Sequence, residues 1–204
     1  MLDTVSAVAD EVFIPLTVGG GIRTRGDVKE TLRAGADKVS INSGAIANPD
    51  LINEGAAAFG SQCIVISLDA RRRYDGQGEQ YVEVDGESCW FECTIKGGRE
   101  GTGLDAVEWA TEAERRGAGE IFVNSIDADG TKDGYDIPLV KTVCDAVSTP
   151  VIASSGCGGP EDMEEVFENA GADAGLAASI FHFGEYSIAE TKQYLDEQGI
   201  PVRL

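Results

Sequence analysis

Six short apolar runs rich in valine and isoleucine recur along the chain, at residues 15–18, 38–41, 63–68, 120–123, 150–153 and 174–178. Runs of this length without polar alternation suit strands covered on both faces, so each predicts a buried parallel strand. The last run is alanine-rich, and its assignment leans on an internal repeat described below. Between the runs the period becomes helical. Met163, Val166, Phe167 and Ala170 fall at i, i+3, i+4 and i+7 behind Pro160, with Glu161 and Asp162 in the first turn and Gly171 after the last apolar position. Val140, Val143, Cys144 and Val147 form a second stripe ahead of Pro150, and Leu2, Val5, Val8 and Ala9 a third with no capping residue before it. Strand and helix alternate throughout, which predicts an α/β fold with right-handed crossovers in one domain spanning 1–204.

The chain also repeats itself. AGADKVSINS at 34–43 matches AGADAGLAAS at 170–179, and PLTVGGG from Pro15 matches PVIASSG from Pro150. A recurring strand, glycine turn, helix and strand suggests a barrel made of two related halves. Residues 70–103 break the pattern, being charged and glycine-rich, a long loop or β-ribbon inserted after the third strand. Within it, 81–84 and 90–95 are expected to pair as two strands. Such a segment is either a functional lid or a tolerated surface insertion, and the residues do not choose between them.

Charge narrows the partners. Asp and Glu number 36 against 16 Lys and Arg, a net charge of −20, and the acids are spread along the chain. So acidic a surface repels nucleic acid and anionic membranes. Adaptation to a salt-rich cytoplasm is the favoured reading over an ordinary acidic protein, because basic residues are also depleted. The five cysteines, Cys63, Cys89, Cys93, Cys144 and Cys157, have no disulfide or zinc spacing, and His182 is the single histidine, so no metal site is expected. With no signal-like start and no long apolar run, a soluble cytoplasmic protein is expected.

The strand ends carry the candidate chemistry. Gly19, Gly20 and Gly21 close the first strand, where glycine lets backbone N–H groups approach an anion, although glycines also make plain turns. Asn42 and Ser43 end the next strand with side-chain donors. In the second copy of the repeat Gly156 takes the glycine position and Ser179 that of Ser43, and Asp129 and Gly130 follow the strand before it. Two similar anion sites imply a substrate with a phosphate at each end. Asp69 ends the apolar strand CIVISLD, where a carboxylate either caps the loop or serves as general acid or base, and catalysis is preferred. Asp127 and Asp129 also end a strand, and both are expected to hold the loop or contact ligand groups rather than do chemistry. Lys38 and Glu120 begin strands at the other end, either as paired stabilising charges or as a charged ring guarding an opening.

In order along the chain, PLTVGGGI, AGADKVSINS, AFGSQCIVISLDA, RRGAGEIFVNSIDADGTKDGYD, PVIAS, AGADAGLAAS and FHF resemble the cyclase subunits of imidazole glycerol phosphate synthase. DGTKDGYD is the most specific, and the likeness covers nearly everything except much of 70–103. The resemblance implies a TIM (β/α)8 barrel and a lyase of histidine biosynthesis. In that reaction ammonia from a glutaminase partner attacks the two-phosphate phosphoribulosyl-formimino aminoimidazole carboxamide ribonucleotide. Imidazole glycerol phosphate forms and aminoimidazole carboxamide ribonucleotide leaves. The partner docks on the N-terminal face of the barrel, and no cofactor or metal is involved. By the same resemblance Asp69 is one of two catalytic aspartates. Gly21, Asn42 and Ser43 hold one phosphate, Asp129, Gly130, Gly156, Ala178 and Ser179 hold the other, and Lys38 and Glu120 belong to the ammonia gate. Ser155 stands where the family typically has glycine, and tolerance of its side chain is expected.

The resemblance also implies two strands and a helix before Met1. Six βα units are expected here, with the second catalytic aspartate and the other gate residues outside the chain, so a fragment with weak or no turnover is expected. Two other functions remain open: the sister isomerase of the same pathway, against which DGTKDGYD argues, and a non-catalytic phosphate-binding barrel remnant.

Overall fold

The computed structural model describes residues 1–204. It has an α/β fold built on parallel strand pairs, and its chain divides into two compact units, Met1–Ser67 with Thr111–Ile121, and Leu68–Ala110 with Phe122–Leu204.

The first unit opens with helix α1 (Leu2–Ala9), followed by β1 (Thr17–Gly19), α2 (Arg25–Arg33), β2 (Lys38–Ile41), the short α3 (Ser43–Ala47) and α4 (Asp50–Phe59). It also holds the start of β3 (Ile64–Arg73). β1 pairs parallel with β2 and β2 with β3, placing Val18 beside Val39 and Val39 beside Ile64. Val39, Ile41, Ile64 and Ile66 are buried with Val28, Leu51 and Ile52 from the helices. Each such side chain contributes roughly 1.5–3 kcal/mol by leaving water. α2 starts where it does because Thr24 accepts from the Asp27 amide while Asp27 accepts from Thr24, a reciprocal cap.

The second unit holds the rest of β3, then β4 (Val82–Val84), β5 (Glu87–Ile95), β6 (Glu100–Asp105) and the start of α5 (Ala106–Arg116). After the end of β7 (Glu120–Ser125) come α6 (Ile137–Ala146), β8 (Val151–Ser154), α7 (Pro160–Ala170), β9 (Ala174–Gly175), α8 (Ser179–His182) and α9 (Ile188–Glu197). β8 and β9 pair parallel, with Ile152 beside Ala174. Met163, Val166 and Ala170 form the buried stripe of α7, and Gly171 ends it at φ 73°. Helix α6 ends at Ala146, before Pro150, and Val147 is its C-cap. No helix is long and apolar enough to cross a membrane.

Residues 70–103 depart from expectation. β3 does not stop near Leu68 but runs on through three arginines to Arg73. It pairs antiparallel with β5, Arg71 facing Glu92 and Arg73 facing Trp90. β5 also pairs with β6, so 90–95 is a central strand rather than the partner of 81–84. β4 pairs instead with Glu87, Ser88 and Cys89 across a tight turn with Asp85 at φ 54° and Gly86 at φ 82°. The strand period survives in the charges. Arg71 and Arg73 both reach Glu92, at 3.0 and 3.5 Å, while Arg72 points the other way to Asp136 at 2.8 Å. A run of three arginines resembles loop sequence until its partners are known.

Arg116 joins α5 to α4 within the first unit, through Asp50 at 2.8 Å, and also meets Glu112 at 2.6 Å. Hydrogen bonds from Arg115 and Arg116 hold the Glu112 carboxyl down at about 2, against an ordinary 4.5. A carboxyl depressed in the folded state stabilises above its unfolded pKa and loses that contribution as pH falls through the folded one. We therefore expect Glu112→Gln to lower the thermal midpoint at pH 7, with the difference from wild type shrinking below about pH 4.5 and gone near pH 2. Thermal scans across that range at fixed salt check it, and a pH-independent difference would contradict it.

Candidate functional site

The two copies of the repeat build similar turns. In the first unit Gly20 and Gly21 have φ of 101° and 74°, and a Cβ at either would meet nothing. Exposed glycines there let a ligand approach the backbone closely. The turn lies against the start of α3, since a Cβ on Gly44 would sit 2.2 Å from the Ile22 carbonyl oxygen. That approach brings Gly21 toward half-buried Asn42, the N-cap of α3, and exposed Ser43, its first residue.

The second unit repeats the construction more tightly. Gly156 has φ 92°, and a Cβ there would lie 2.0 Å from the Gly134 carbonyl oxygen, while the Gly134 amide donates to the Gly156 carbonyl at 2.9 Å. Tyr135 Oη donates to the Leu176 carbonyl at 3.1 Å, joining the turn after β7 to the end of β9. Burial pushes the Tyr135 phenol and the Cys157 thiol upward, leaving both neutral. Between these turns lies a cavity of about 180 Å³, and Asp129, Gly130, Gly156, Ala178 and Ser179 all line it. Lys132 lines it too, a residue that sequence reasoning passed over although it sits inside DGTKDGYD. Ser155 also lines it, with φ 74°. That angle favours glycine, so the departure at Ser155 falls where a Cβ is strained.

Asp69 lies half-buried at the level where β3 leaves its apolar stretch. Asn124 Nδ2 donates to its Oδ1 at 2.9 Å. Asn124 was not a sequence candidate, but β7 contains the signal: Glu120, Phe122 and Asn124 share one face while Ile121, Val123 and Ser125 are buried. Asp127 accepts from the Arg72 amide at 2.8 Å and so holds its loop. Arg72 spans to the buried Asp136, which also accepts from Ser125 Oγ at 3.0 Å. A second cavity of about 250 Å³ is lined by Arg72, Asp127 and Asp136.

Lys38 and Glu120, both half-buried in the first unit, form an ion pair with each other. All five cysteines are free. The Cys93 thiol is pushed up by burial, and Cys144 rises to about 11 for the same reason, so neither is a nucleophile at neutral pH.

Parallel strands whose glycine turns gather polar groups at their C-terminal ends define the class, and the chain belongs to the histidine biosynthesis protein family, which matches residues 1–187. Among its relatives, the imidazole glycerol phosphate synthase subunit HisF of Haloarcula marismortui is 89% identical over the whole of this chain and 75% of its own length. HisF of Natronomonas pharaonis is 83% identical with the same coverage. HisF of Methanocaldococcus jannaschii is 51% identical over the whole chain and 77% of its own length.

The left-handed turn gives a paired prediction. Ser155→Gly relieves a strained φ, and we expect stabilisation of about 0.5–1 kcal/mol after the greater freedom of glycine in the unfolded chain is counted. Gly156→Ala drives a methyl into the Gly134 carbonyl and is expected to cost more than about 2 kcal/mol. Chemical denaturation of both variants checks the opposite signs.

Proposed function

We propose that this chain is a cytoplasmic cyclase subunit of imidazole glycerol phosphate synthase, built on the (β/α)8 barrel pattern. It uses ammonia to convert the phosphoribulosyl-formimino aminoimidazole carboxamide ribonucleotide to imidazole glycerol phosphate and aminoimidazole carboxamide ribonucleotide. The observation that carries this reading is the gathering of five residues, distant in sequence, around one cavity in the unit that also holds the Asp69–Asn124 pair. Identities of 76–89% to several HisF subunits over the whole chain favour it over the sister isomerase.

In this reading the cavity holds one phosphate through Gly130, Gly156, Ala178 and Ser179, with Asp129 beside it, and the turn at Gly21, Asn42 and Ser43 holds the other. Fixing both ends of a long substrate limits the freedom of the reacting middle. Asp69 exchanges protons there as general acid and base. Ammonia adds to the carbonyl carbon, whose oxygen takes a proton and leaves as water, and ring closure expels aminoimidazole carboxamide ribonucleotide, with a proton removed from the ring nitrogen and one given to the departing amine. Asn124 orients the carboxyl by donating to Oδ1. Lys38 and Glu120 guard the ammonia entry, and a glutaminase docks at the strand ends where they sit.

The test is ammonia-driven turnover of the two-phosphate substrate in molar potassium chloride. It would be run on the 204-residue chain and on the chain joined to the further quarter of sequence that its HisF relatives carry. Asp69→Asn in the active form is expected to lower kcat by roughly 10²–10⁴ while substrate affinity stays within about twofold. Asn124→Ala is expected to lower kcat by about tenfold, the loss of one orienting hydrogen bond. Retention of full activity in Asp69→Asn would remove the proposed chemistry.

A further inference from the structure

We propose that Lys132 is the phosphate-gripping cation of the second-unit cavity, and that Glu185 parks it when the cavity is empty. The proposal rests on the reading of that cavity as a phosphate site, and adds the residue that makes an anion welcome there.

Charge poses the problem. Of the residues around the cavity only Asp129 and Lys132 are charged, and Asp129 carries the same sign as the ligand. A phosphate dianion beside a carboxylate needs a cation close at hand, and Lys132 is the one the cavity offers. Backbone dipoles from the glycine turns help, but they do not offset a carboxylate.

Backbone geometry fixes where that cation sits. Lys132 has φ 62°, a left-handed conformation that a side chain adopts only when its surroundings impose it. Here the neighbouring turn imposes it. A Cβ on Gly158 would lie 2.4 Å from the Lys132 carbonyl oxygen and 3.2 Å from its Cβ, so the two turns meet backbone to backbone. The same cavity wall holds Ser155, also left-handed. Two strained non-glycine residues on one small cavity mark a surface shaped for contact rather than for stability.

The ammonium of Lys132 lies 2.5 Å from Glu185 Oε1, with the two side chains 39% and 42% exposed. A pair so open to water is held weakly and exchanges readily. Glu185 is tied to the short helix that begins at the cavity: its amide donates to the Ile180 carbonyl at 2.9 Å, one residue beyond Ser179. The ammonium therefore has two acceptors within reach of one flexible stem, a solvated carboxylate outside and a phosphate inside. Phosphate carries more charge, and a more buried ion pair is screened less by salt. Binding moves the ammonium from Glu185 to the phosphate, and Glu185 returns to water.

The test titrates inorganic phosphate into the full chain at fixed ionic strength and follows the backbone amide resonances of Gly156 and Ser179. Lys132→Gln is expected to weaken the midpoint by about tenfold, the loss of one charge-assisted contact. Lys132→Arg, which keeps the charge, is expected to stay within about threefold of wild type. Glu185→Gln is expected to tighten binding by about threefold, the release from a weak exposed pair. The double variant is expected to match Lys132→Gln alone, because Glu185 competes only for Lys132. An unchanged midpoint in Lys132→Gln, or weaker binding in Glu185→Gln, overturns the proposal while leaving the phosphate site intact. Wild-type resonances that do not move with phosphate overturn the phosphate-site reading and this proposal with it. Glu185→Gln leaves the 131–134 turn untouched, so a folding defect in the lysine variants cannot mask the outcome.

Discussion

The candidate site of the second unit hangs on one buried carboxylate. Asp136 is 5% exposed and accepts four hydrogen bonds: two from Arg72 at 3.2 and 2.8 Å, one from Ser125 Oγ at 3.0 Å and one from the Leu139 amide at 3.2 Å. Those partners are the end of β3, the end of β7 and the first turn of α6. The stretch between Ser125 and Asp136 carries Asp127, Asp129, Gly130 and Lys132, and it is closed at both ends by the same side chain. A carboxylate this buried is tolerable only while all its partners remain, and removing one charge of such a pair costs roughly 3–5 kcal/mol. The loop is thus exposed from Asp129 to Asp133 but anchored by charge at its base.

How much of this was legible in the sequence depended on which periodicity carried the information. The six apolar runs were readable because buried strands are written in valine and isoleucine, and every one contains a strand. The α7 stripe and its Gly171 cap were equally plain. β3 beyond Asp69 was not, because its alternation is written in arginines whose partners lie 21 and 64 residues away. The 81–84 segment looked ready to pair with 90–95, yet the nearer 87–89 wins through a tight turn at Asp85 and Gly86. Short loop closure outweighs apolar similarity in that choice.

The candidate site could be proposed from repetition rather than from any one motif. Alignment of the repeats placed Ser179 opposite Ser43 and Gly156 opposite Gly21; the first glycine turn packs against the start of α3, while the second packs on the Gly134 turn and shares a cavity with Ser179. What repetition could not supply was anything present in only one copy. Lys132 lies in a turn with no counterpart in the first unit's sequence, and Asn124 acts on Asp69 across adjacent strands, a relation fixed by sheet register. Asp127 and Asp129 looked alike in sequence; the path of the loop after β7 separates them, Asp127 accepting from the Arg72 amide and Asp129 lining the cavity.

The proposed doubly phosphorylated ligand and a net charge of −20 repel each other at long range, and the range of electrostatic forces resolves the conflict. In molar salt the Debye length falls to about 3 Å, so repulsion from distant carboxylates is screened away and long-range attraction is equally useless. Only donors in direct contact can hold an anion there. The proposed phosphate site offers such a set in its glycine turns, the Ser179 hydroxyl at a helix start and Lys132, and none depends on the sign of the surrounding surface. On that proposal the left-handed residues Ser155 and Lys132 acquire a role: where attraction acts only at contact, the exact path of the backbone decides whether contact is made, and a left-handed residue on a rigid turn fixes that path.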